Sequence, residues 1–401
     1  MYYMSEVILK VVLLSHVYPP FIFGGIAAFI KDLAIDLSKL GVDVTVISGF
    51  PTLRSSKKIL REFENGIKII RLPYPPIPPH HSFFQLKNFK NLSLLADKES
   101  PDVIHGQGGC SYPAIINLKK VAPFLVTFHA SPLMEKNTSI RSILRGGTFT
   151  DIRTYVIGYP PTSLIYKKEL RQSKLSVAVS NALRFDMLKE MGQEYVDKIK
   201  TVYNGVNLES LDRDYAIAQN KTTESENTIL FAGRLFWRKG ALNIIKMAYF
   251  LQRENSKFKI IVHGNGPLFN KMQSEITSLN LRNIELKGFT TRAELVTSMS
   301  KSKFVALPSL YDACPMAALE GMCLGKIPLM LNLPFGLEIT QEGKYGVIAS
   351  DMRSMVNRLL SLKNTLDLNS YGKEIRTFAR RKYNSRNTAK KYLQLYNKIC
   401  I

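Results

Sequence analysis

Acidic residues, cysteine and tryptophan are all scarce in this 401-residue chain. Asp and Glu total 32 against 55 Lys and Arg, which gives a formal net charge of +23. A basic chain favours anionic partners such as phosphorylated ligands, nucleic acid or an acidic membrane surface, and general solubility is the plain alternative. The 4 cysteines form no C-x-x-C pair. This pattern argues against a disulfide framework and predicts buried thiols in a reducing compartment.

Long apolar runs and metal-ligand spacings are also missing. No apolar run reaches the ~18 residues that a membrane-spanning helix needs. The apolar stretch Val7–Val17 contains Lys10 and follows Glu6 rather than a basic segment, so we expect a core strand and not a signal peptide. Asp212-Arg213-Asp214 has a metal-pair spacing but lies in a polar segment away from any expected strand end. We therefore expect a cytoplasmic protein that holds no metal and no cofactor.

Short β-branched runs alternate with amphipathic segments twice along the chain, a pattern typical of parallel sheets built from βαβ units. We therefore predict an α/β fold with two Rossmann-like, doubly wound domains that face each other across a cleft. The first domain comprises residues 1–204 and the second 228–379, joined by a polar linker at 205–227. A basic helix at 380–401 is predicted to pack back on the first domain. In such folds ligands bind beyond the carboxyl ends of the strands, near helix N-termini.

The first candidate site is the loop at 19–25, which contains Gly24 and Gly25 and follows the first expected strand. Two glycines allow a ligand close to the backbone, and the N–H groups of the helix predicted over 25–40 would face an anion. A plain turn is the alternative. The segment 73–79, which is rich in proline, is predicted to be an extended loop.

Three cations crowd a second candidate site, the strand-to-helix loop at 233–240. Arg234, Arg238 and Lys239 would repel each other near the positive end of a helix unless a phosphate or diphosphate were bound. A solvated basic loop is the alternative. Gly264 and Gly266 form another glycine-rich turn after the strand that ends in His263.

A lone carboxylate in an apolar helix marks the third candidate site. Between Met316 and Leu324 every residue except Glu320 is apolar or glycine, so Glu320 is predicted to lie on a buried helix face. A buried carboxylate needs a partner, and a pair of ribose hydroxyls or a core Arg or Lys would each provide one. Asp312 precedes the helix, where another sugar hydroxyl could reach it. His129 ends an apolar strand and is either a hydrogen-bonding group in the cleft or a packed core residue.

Taken together, these motifs resemble the GT-B glycosyltransferases, and within them the retaining glycosyltransferase family 4. The resemblance covers nearly the whole chain. It is carried by Pro-Pro followed by Gly24-Gly25, Thr127-Phe128-His129, Val179-Ser180, Tyr203-Asn204-Gly205-Val206, Gly233-Arg234 with Lys239-Gly240, Gly264-Asn265-Gly266-Pro267, Gly288-Phe289, and an acidic pair eight positions apart.

The resemblance implies a role for each matching residue in binding a nucleotide-sugar donor. Arg234 and Lys239 match the diphosphate-binding pair, Glu320 the ribose-binding glutamate, and Asp312 the acidic residue that faces the donor sugar. His129 matches a catalytic-site histidine near that sugar. The other residues implied in substrate binding are Gly24, Gly25, Asn204, Gly264, Gly266, Met316, Ala317, Ala318 and Leu319. The sequence departs from the family pattern where Asp312 replaces a glutamate and Cys314-Pro315 replaces Phe-Gly.

The resemblance thus implies a retaining glycosyltransferase that moves a sugar from a nucleotide-diphosphate sugar to a saccharide acceptor. Residues 141–174 interleave basic and apolar side chains, which suggests an anionic membrane surface and a lipid-linked acceptor at the cytoplasmic membrane face. A sugar-nucleotide 2-epimerase of the same fold is the first alternative. A basic nucleic-acid-binding protein is a remote one, because the basic residues occur at strand-end loops and in the C-terminal helix and the chain has only one tryptophan, and no nucleic acid is expected as a partner.

Overall fold

The computed structural model describes residues 8–21, 24–52, 58–76, 80–112, 114–144, 148–153, 156, 159–220 and 225–400, without the side chains of His81, Ser82, Thr150 and Asp151. The strands in these ranges are β1 (Lys10–Leu14), β2 (Asp43–Pro51), β3 (Leu60–Glu64), β4 (Ile67–Tyr74), β5 (Val103–Gln107), β6 (Phe124–Phe128), β7 (Leu175–Ala178), β8 (Ile199–Thr201), β9 (Ser225–Ala232), β10 (Lys259–His263), β11 (Ile284–Gly288), β12 (Ser302–Leu307), β13 (Ile327–Leu331) and β14 (Val347–Ala349).

The helices are α1 (Gly25–Lys39), α2 (His80–Lys98), α3 (Ile115–Val121), α4 (Pro132–Ile143), α5 (Phe149–Arg153), α6 (Tyr159–Gln172), α7 (Asn181–Met191), α8 (Leu208–Gln219), α9 (Ala241–Arg253), α10 (Phe269–Ser278), α11 (Arg292–Lys301), α12 (Met316–Cys323), α13 (Pro334–Thr340), α14 (Met352–Thr365), α15 (Leu368–Lys382) and α16 (Ser385–Cys400). The start of the predicted first strand at Val7 lies outside the described residues.

Contacts divide the chain into two compact units. The first unit consists of Met1–Leu133, Ile157–Gly205 and Ser385–Ile401, and the second of Met134–Val156 and Val206–Asn384. This division differs from the expected boundaries because residues 134–156 leave the first unit and pack with the second. The last stretch of the chain, α16, lies in the first unit, where it packs on α1.

An eight-stranded sheet, in the order β3-β4-β2-β1-β5-β6-β7-β8, forms the described centre of the first unit. Every neighbouring pair is parallel except β3 with β4. Helix α1 covers this sheet with an apolar stripe at helical spacing, in which Phe29, Ile30, Leu33 and Leu37 are all buried. Gly41 follows the helix at φ 85°, a conformation that favours glycine at a helix end.

The predicted loop at 73–79 is wrong at its first two residues, because Pro73 and Tyr74 continue β4. There β4 pairs with β2, and among the described residues its other neighbour, β3, pairs no further than Arg71. Proline cannot donate a ladder hydrogen bond and is tolerated at such an unpaired edge. Residues 77–79 lie outside the described part of the chain.

A six-stranded parallel sheet, in the order β11-β10-β9-β12-β13-β14, forms the described centre of the second unit. This is the Rossmann order, in which the chain first winds outward from β9 to β11 and then returns to the other side of β9 with β12. Ligands bind at this switch point, outside the carboxyl ends of the two strands where the winding reverses. The residues that leave β9 and β12 there are Gly233 and Pro308.

Two expectations about the connecting segments are wrong. The polar segment 205–227 is not only a linker, because it contains helix α8, whose Leu211 is buried. Its polar residues lie on the remaining faces of that helix. The single helix expected at 380–401 is two helices, since α15 ends at Lys382 and α16 begins at Ser385.

Burial of the thiols follows the expectation at three positions out of four. Cys110, Cys314 and Cys323 are buried, but Cys400 is exposed because it lies in the last turn of α16.

Candidate nucleotide-sugar site

Two glycine-containing turns pack together at the carboxyl ends of β9 and β10. The Gly233 N–H donates to the His263 carbonyl oxygen at 3.0 Å, and the Leu235 N–H donates to the Asn265 carbonyl oxygen at 3.0 Å. Gly264 has φ 145°, and a Cβ there would lie 1.8 Å from the Gly233 carbonyl oxygen. Only glycine fits at this position. The two hydrogen bonds join the backbones of both turns beside the switch point.

The cationic turn places Lys239 against Asp312. Residues Trp237–Lys239 form one 3-10 turn, and the next residue, Gly240, has φ 75°. The Lys239 ammonium pairs with one Asp312 carboxylate oxygen, and the other oxygen accepts from the Ala313 N–H at 2.9 Å. Desolvation lowers the pKa of Lys239, and the Asp312 charge opposes that shift. The structure thus joins two of the predicted residues, one after β9 and the other after β12.

The two arginines of this turn have different surroundings. The Arg238 guanidinium lies 3.5 Å from a Glu135 carboxylate oxygen on α4. Arg234 is exposed, and its guanidinium lies 4.5 Å from the centre of the Phe236 ring. Glu135 therefore offsets part of the charge that Arg238 adds, while Arg234 keeps donors open to an anion. Glu135 is a residue that sequence reasoning missed, because nothing in the local pattern links α4 to this turn.

Helix α12 is not buried on all sides, contrary to the expectation. Ala318 and Leu319 are fully buried, so their side chains belong to the core, but Met316 and Ala317 are half-buried. Glu320 shares this partly open stripe, and its side chain is 13% exposed. A ligand that reaches α12 would therefore meet Met316, Ala317 and Glu320.

The Glu320 carboxylate has a cationic partner. One terminal nitrogen of Arg292, the first residue of α11, lies 2.8 Å from both carboxylate oxygens. The Arg292 side chain is 45% exposed, so the partner is a surface arginine rather than the core cation that the sequence left as an alternative. Asp214 on α8 lies 3.6 Å from the Arg292 Nε. Arg292 is a second residue that sequence reasoning missed.

The Asp-x-Asp pair on α8 is occupied by arginines. Asp212 accepts hydrogen bonds from both terminal nitrogens of Arg380, and Asp214 faces Arg292. The Arg380 contact lowers the pKa of Asp212. Among the described residues, no group of three His, Cys, Asp or Glu side chains could hold a metal ion.

In the first unit, the loop that contains Gly24 ends at the N-terminus of α1. Gly24 has φ 121°, no described side chain caps the helix, and a Cβ at Gly24 would meet nothing within 4 Å. The buried Arg71 contacts the start of this loop, where it donates a hydrogen bond to the Pro19 carbonyl oxygen at 2.5 Å. The Arg71 guanidinium also forms an ion pair with Glu62 at 2.9 Å. Among the described residues, the first N–H groups of α1 thus have no side-chain cap, and N–H groups of this kind are the ones that bind an anion at a helix N-terminus.

His129 lies at the same edge of that sheet, close to α1. Its ring stands edge-on to the Phe29 ring with the centroids 5.3 Å apart. Its Nε2 lies 2.7 Å from the Gln107 Oε1, and since that oxygen can only accept, Nε2 carries the proton. Desolvation lowers the pKa of His129 to about 3, so the ring is neutral at pH 7 and its Nδ1 is an acceptor. Gln107 is a third residue that sequence reasoning missed.

A second neutral histidine lies beneath His129. His105 is fully buried, and its two ring nitrogens contact the Tyr396 hydroxyl at 2.7 Å and the Thr127 hydroxyl at 2.8 Å. Desolvation lowers the pKa of His105 to about 3 as well. The tyrosine comes from α16, so the end of the chain completes the hydrogen bonding of this core.

The desolvation of these two histidines predicts a loss of stability in acid. Below about pH 6.5 the unfolded chain binds protons at both imidazoles, whereas the folded chain binds them only near pH 3, so acidification favours unfolding. We expect Tm, measured by calorimetry, to fall as the pH is lowered from 7 to 5. The fall should be shallower in the His105→Gln chain, since glutamine does not titrate. An equally steep fall in that variant would contradict the prediction.

Asn204, another predicted site residue, lies beside a close backbone approach. It is buried in the first unit, and at its neighbour Gly205 a Cβ would lie 2.3 Å from the Ser385 Cα. The glycine of this motif is thus required by the close approach of α16. A substrate-binding role for Asn204 stays a prediction.

Two family models match the chain. The model for Glycosyltransferase Family 4 matches residues 23–210, and the model for glycosyl transferases group 1 matches residues 212–373. Together they cover most of both units.

Curated relatives and solved structures agree with these models. The chain is 25% identical over 360 residues to an uncharacterized glycosyltransferase of Methanocaldococcus jannaschii, covering 84% of each chain. It is 22% identical to the glycogen synthase of Mycobacterium tuberculosis, over 90% of this chain and 86% of the relative. Sucrose-phosphate synthase from Thermosynechococcus elongatus has a similar fold, with a TM-score of 0.77 at 16% identity over 97% and 98% of the two chains. Anabaena Alr3699/HepE in complex with UDP-glucose aligns with a TM-score of 0.68 at 15% identity, over 97% of this chain and 100% of the other.

Proposed function

Because the chain belongs to glycosyltransferase family 4, whose members have the GT-B fold, we propose that it transfers a sugar with retention from a nucleoside diphosphate sugar to a saccharide acceptor. The observation that carries this proposal is the switch point of the second unit. There the Lys239–Asp312 pair, Arg234 and the turn at Gly264 stand side by side at the carboxyl ends of β9, β12 and β10.

The charge of each residue indicates which part of the donor it binds. Breaking the bond between the sugar C1 and the diphosphate oxygen leaves an oxocarbenium-like sugar and a diphosphate with added negative charge. Lys239 and Arg234 stabilise that charge, and each such preorganised group contributes ~3 kcal/mol to the barrier reduction. Asp312 holds a donor-sugar hydroxyl, and Glu320 accepts from the ribose hydroxyls.

Retention follows if the acceptor attacks on the face that the diphosphate leaves. The acceptor hydroxyl oxygen bonds to C1, the bond from C1 to the diphosphate oxygen breaks, and the hydroxyl proton passes to that leaving oxygen. No protein nucleophile is then needed. The neutral His129, with Nδ1 as an acceptor, is suited to hydrogen bond to the donor sugar rather than to carry a proton at pH 7.

A panel of nucleotides tests the donor assignment. UDP is the first candidate, since the structures of Anabaena Alr3699/HepE contain UDP and UDP-glucose, and ADP is the second, since it is bound to starch synthase IV from Arabidopsis thaliana, which has a similar fold. A nucleotide that binds the folded state adds RT ln(1 + [L]/Kd) to the free energy of unfolding and therefore raises Tm. We expect one nucleoside diphosphate and its sugar conjugates to raise Tm. If no nucleoside diphosphate did so at millimolar concentration, the proposal would be wrong.

The 2-epimerase is the competing function, and incubation with donor alone separates the two. An epimerase converts a nucleotide sugar to its epimer without an acceptor. A transferase releases the nucleoside diphosphate and forms a glycoside only when the acceptor is present. Proton NMR of the glycoside then shows whether the donor's anomeric configuration is retained.

A lipid-linked acceptor at the cytoplasmic membrane face belongs to the same proposal. Among the described residues, no helix combines the length and the apolar character that crossing a bilayer requires. The predicted segment 141–174 is divided between the two units, and Arg145, Tyr155 and Ile157 in it lie outside the described residues. What supports membrane contact is the part in the second unit, where Leu144 is 79% and Phe149 78% exposed, with Val156 also exposed. Exposed apolar side chains in the same segment as the exposed Arg141 suit an anionic bilayer surface.

Vesicle flotation checks this membrane contact. We expect the protein to float with vesicles that contain an anionic lipid at low salt, and to bind less as salt screens the charges. Phe149→Ser should weaken flotation several-fold. Phe185→Ser changes an exposed phenylalanine on α7 and serves as the matched control. Equal flotation of the two variants, or no flotation of the parent, would remove the membrane from the proposal.

A further inference from the structure

A cavity of about 360 Å³ lies in the second unit between α4 and the cationic turn. Its walls are Thr138, Arg141 and Leu144 on one side and Trp237 and Leu310 on the other. Its volume falls within the ~300–1,000 Å³ range of small-molecule sites. None of these described lining residues belongs to the donor-binding set.

The position of this cavity is fixed by the donor turn itself. The Leu310 N–H donates to the Arg238 carbonyl oxygen at 2.8 Å, which joins the residue before Lys239 to the segment that leads to Asp312. On the opposite side, the ion pair between Glu135 and Arg238 ties α4 to the same turn. Two of the residues that would contact a molecule in the cavity, Trp237 and Leu310, are therefore close in sequence to Lys239 and Asp312.

The lining combines an aromatic ring with a guanidinium. Trp237, the only tryptophan in the chain, offers an extended apolar ring system of the kind on which the C–H face of a sugar stacks. Arg141 supplies a fixed fork of N–H donors that matches two phosphate oxygens. Glu135, on the same helix, pairs with Arg238. Leu144 lies at the open rim of the cavity and is largely exposed.

We infer that this cavity holds the acceptor, and that the acceptor is a saccharide that carries a phosphate group. The sugar ring rests on Trp237 and the phosphate is bound by Arg141. The inference rests on the proposed transfer reaction, because it gives a location and a chemical class to the acceptor of that reaction. The phosphate could belong to a free sugar phosphate or to the phosphate that links a saccharide to a lipid, and both present the same group to Arg141.

The single tryptophan provides a direct measurement. The protein, without nucleotide, is titrated with glucose 6-phosphate, with farnesyl-diphosphate-linked N-acetylglucosamine in detergent, and with uncharged methyl α-glucoside, while the Trp237 emission is recorded. We expect a saturable change with one of the two phosphate-bearing probes and none with methyl α-glucoside at the same concentration. Which of the two probes acts distinguishes a free from a lipid-linked source.

Arg141→Gln tests the role of the guanidinium. We expect this variant to raise the Kd for the active probe, and the KM for it in transfer, at least tenfold, while the Tm increase caused by the nucleotide is retained. Arg282→Gln is the matched control, because it changes an exposed arginine at a different cavity of the same unit. An emission that no phosphate-bearing probe changes, or an Arg141→Gln chain with the parent's Kd, overturns the inference. The proposed function fails separately, if no nucleotide raises Tm in the parent.

Discussion

Replacing Lys239 by alanine should lower kcat by about 10²–10³-fold at saturating donor, measured as nucleotide release in the presence of acceptor. The expected loss is large because the Lys239 ammonium is half-buried at the switch point, where a charge acts through less water than at the surface. Negative charge grows on the diphosphate only as the bond to the sugar breaks. The interaction is therefore stronger in the transition state than in the bound donor, and kcat should fall more than KM rises.

The Lys239→Ala variant also removes the ion pair with Asp312, so its stability can be compared with its activity. Without Lys239, the partner of Asp312 that remains among the described contacts is the Ala313 N–H, so a moderate decrease in Tm is expected. Lys246→Ala removes an exposed lysine from α9 in the same unit and should change neither kcat nor Tm. If Lys239→Ala lost Tm but kept the parent's kcat, the lysine would be a structural partner of Asp312, and the diphosphate would have to be bound elsewhere.

Much of this arrangement could be predicted because a parallel sheet brings the residues that follow its strands together at the carboxyl ends of those strands. Once β9 and β12 are recognised as strands, the rule that ligands bind at a switch point brings together the residues that follow them. This is why Lys239 and Asp312, far apart in the chain, could be proposed for one site. Helix α1 was equally predictable, because its apolar spacing and Gly41 define the buried face and the end of the helix.

What could not be predicted depends on single long-range contacts. Glu135 lies in a segment that leaves the first unit, and no periodicity in α4 reveals that it pairs with Arg238. Arg292 begins an ordinary surface helix, and only the fold brings it to Glu320. Helix α8 was missed because its polar residues form ion pairs with other helices, whereas sequence reasoning treats a polar segment as solvated.

The contact between Arg292 and Glu320 leads to the second large effect. Glu320→Gln should raise the Kd of the bound nucleoside diphosphate by about 10–100-fold, because a carboxylate that accepts from two ribose hydroxyls makes charge-assisted hydrogen bonds worth ~1.5–3 kcal/mol each. Glutamine keeps the shape but loses the charge and one acceptor. Isothermal titration with the nucleotide measures the change directly.

Arg292→Gln separates ribose binding from structural pairing. If the ion pair only stabilises the fold, both variants should lower Tm by similar amounts and leave the nucleotide Kd unchanged. If Glu320 binds ribose, Arg292 competes with the ligand for the same two oxygens, and Asp214 can retain the guanidinium when the nucleotide arrives. Arg292→Gln should then leave the Kd unchanged or lower it, while Glu320→Gln raises it. A rise of the same size in both variants would show instead that the nucleotide needs the intact pair, and that Arg292 itself contacts the ligand.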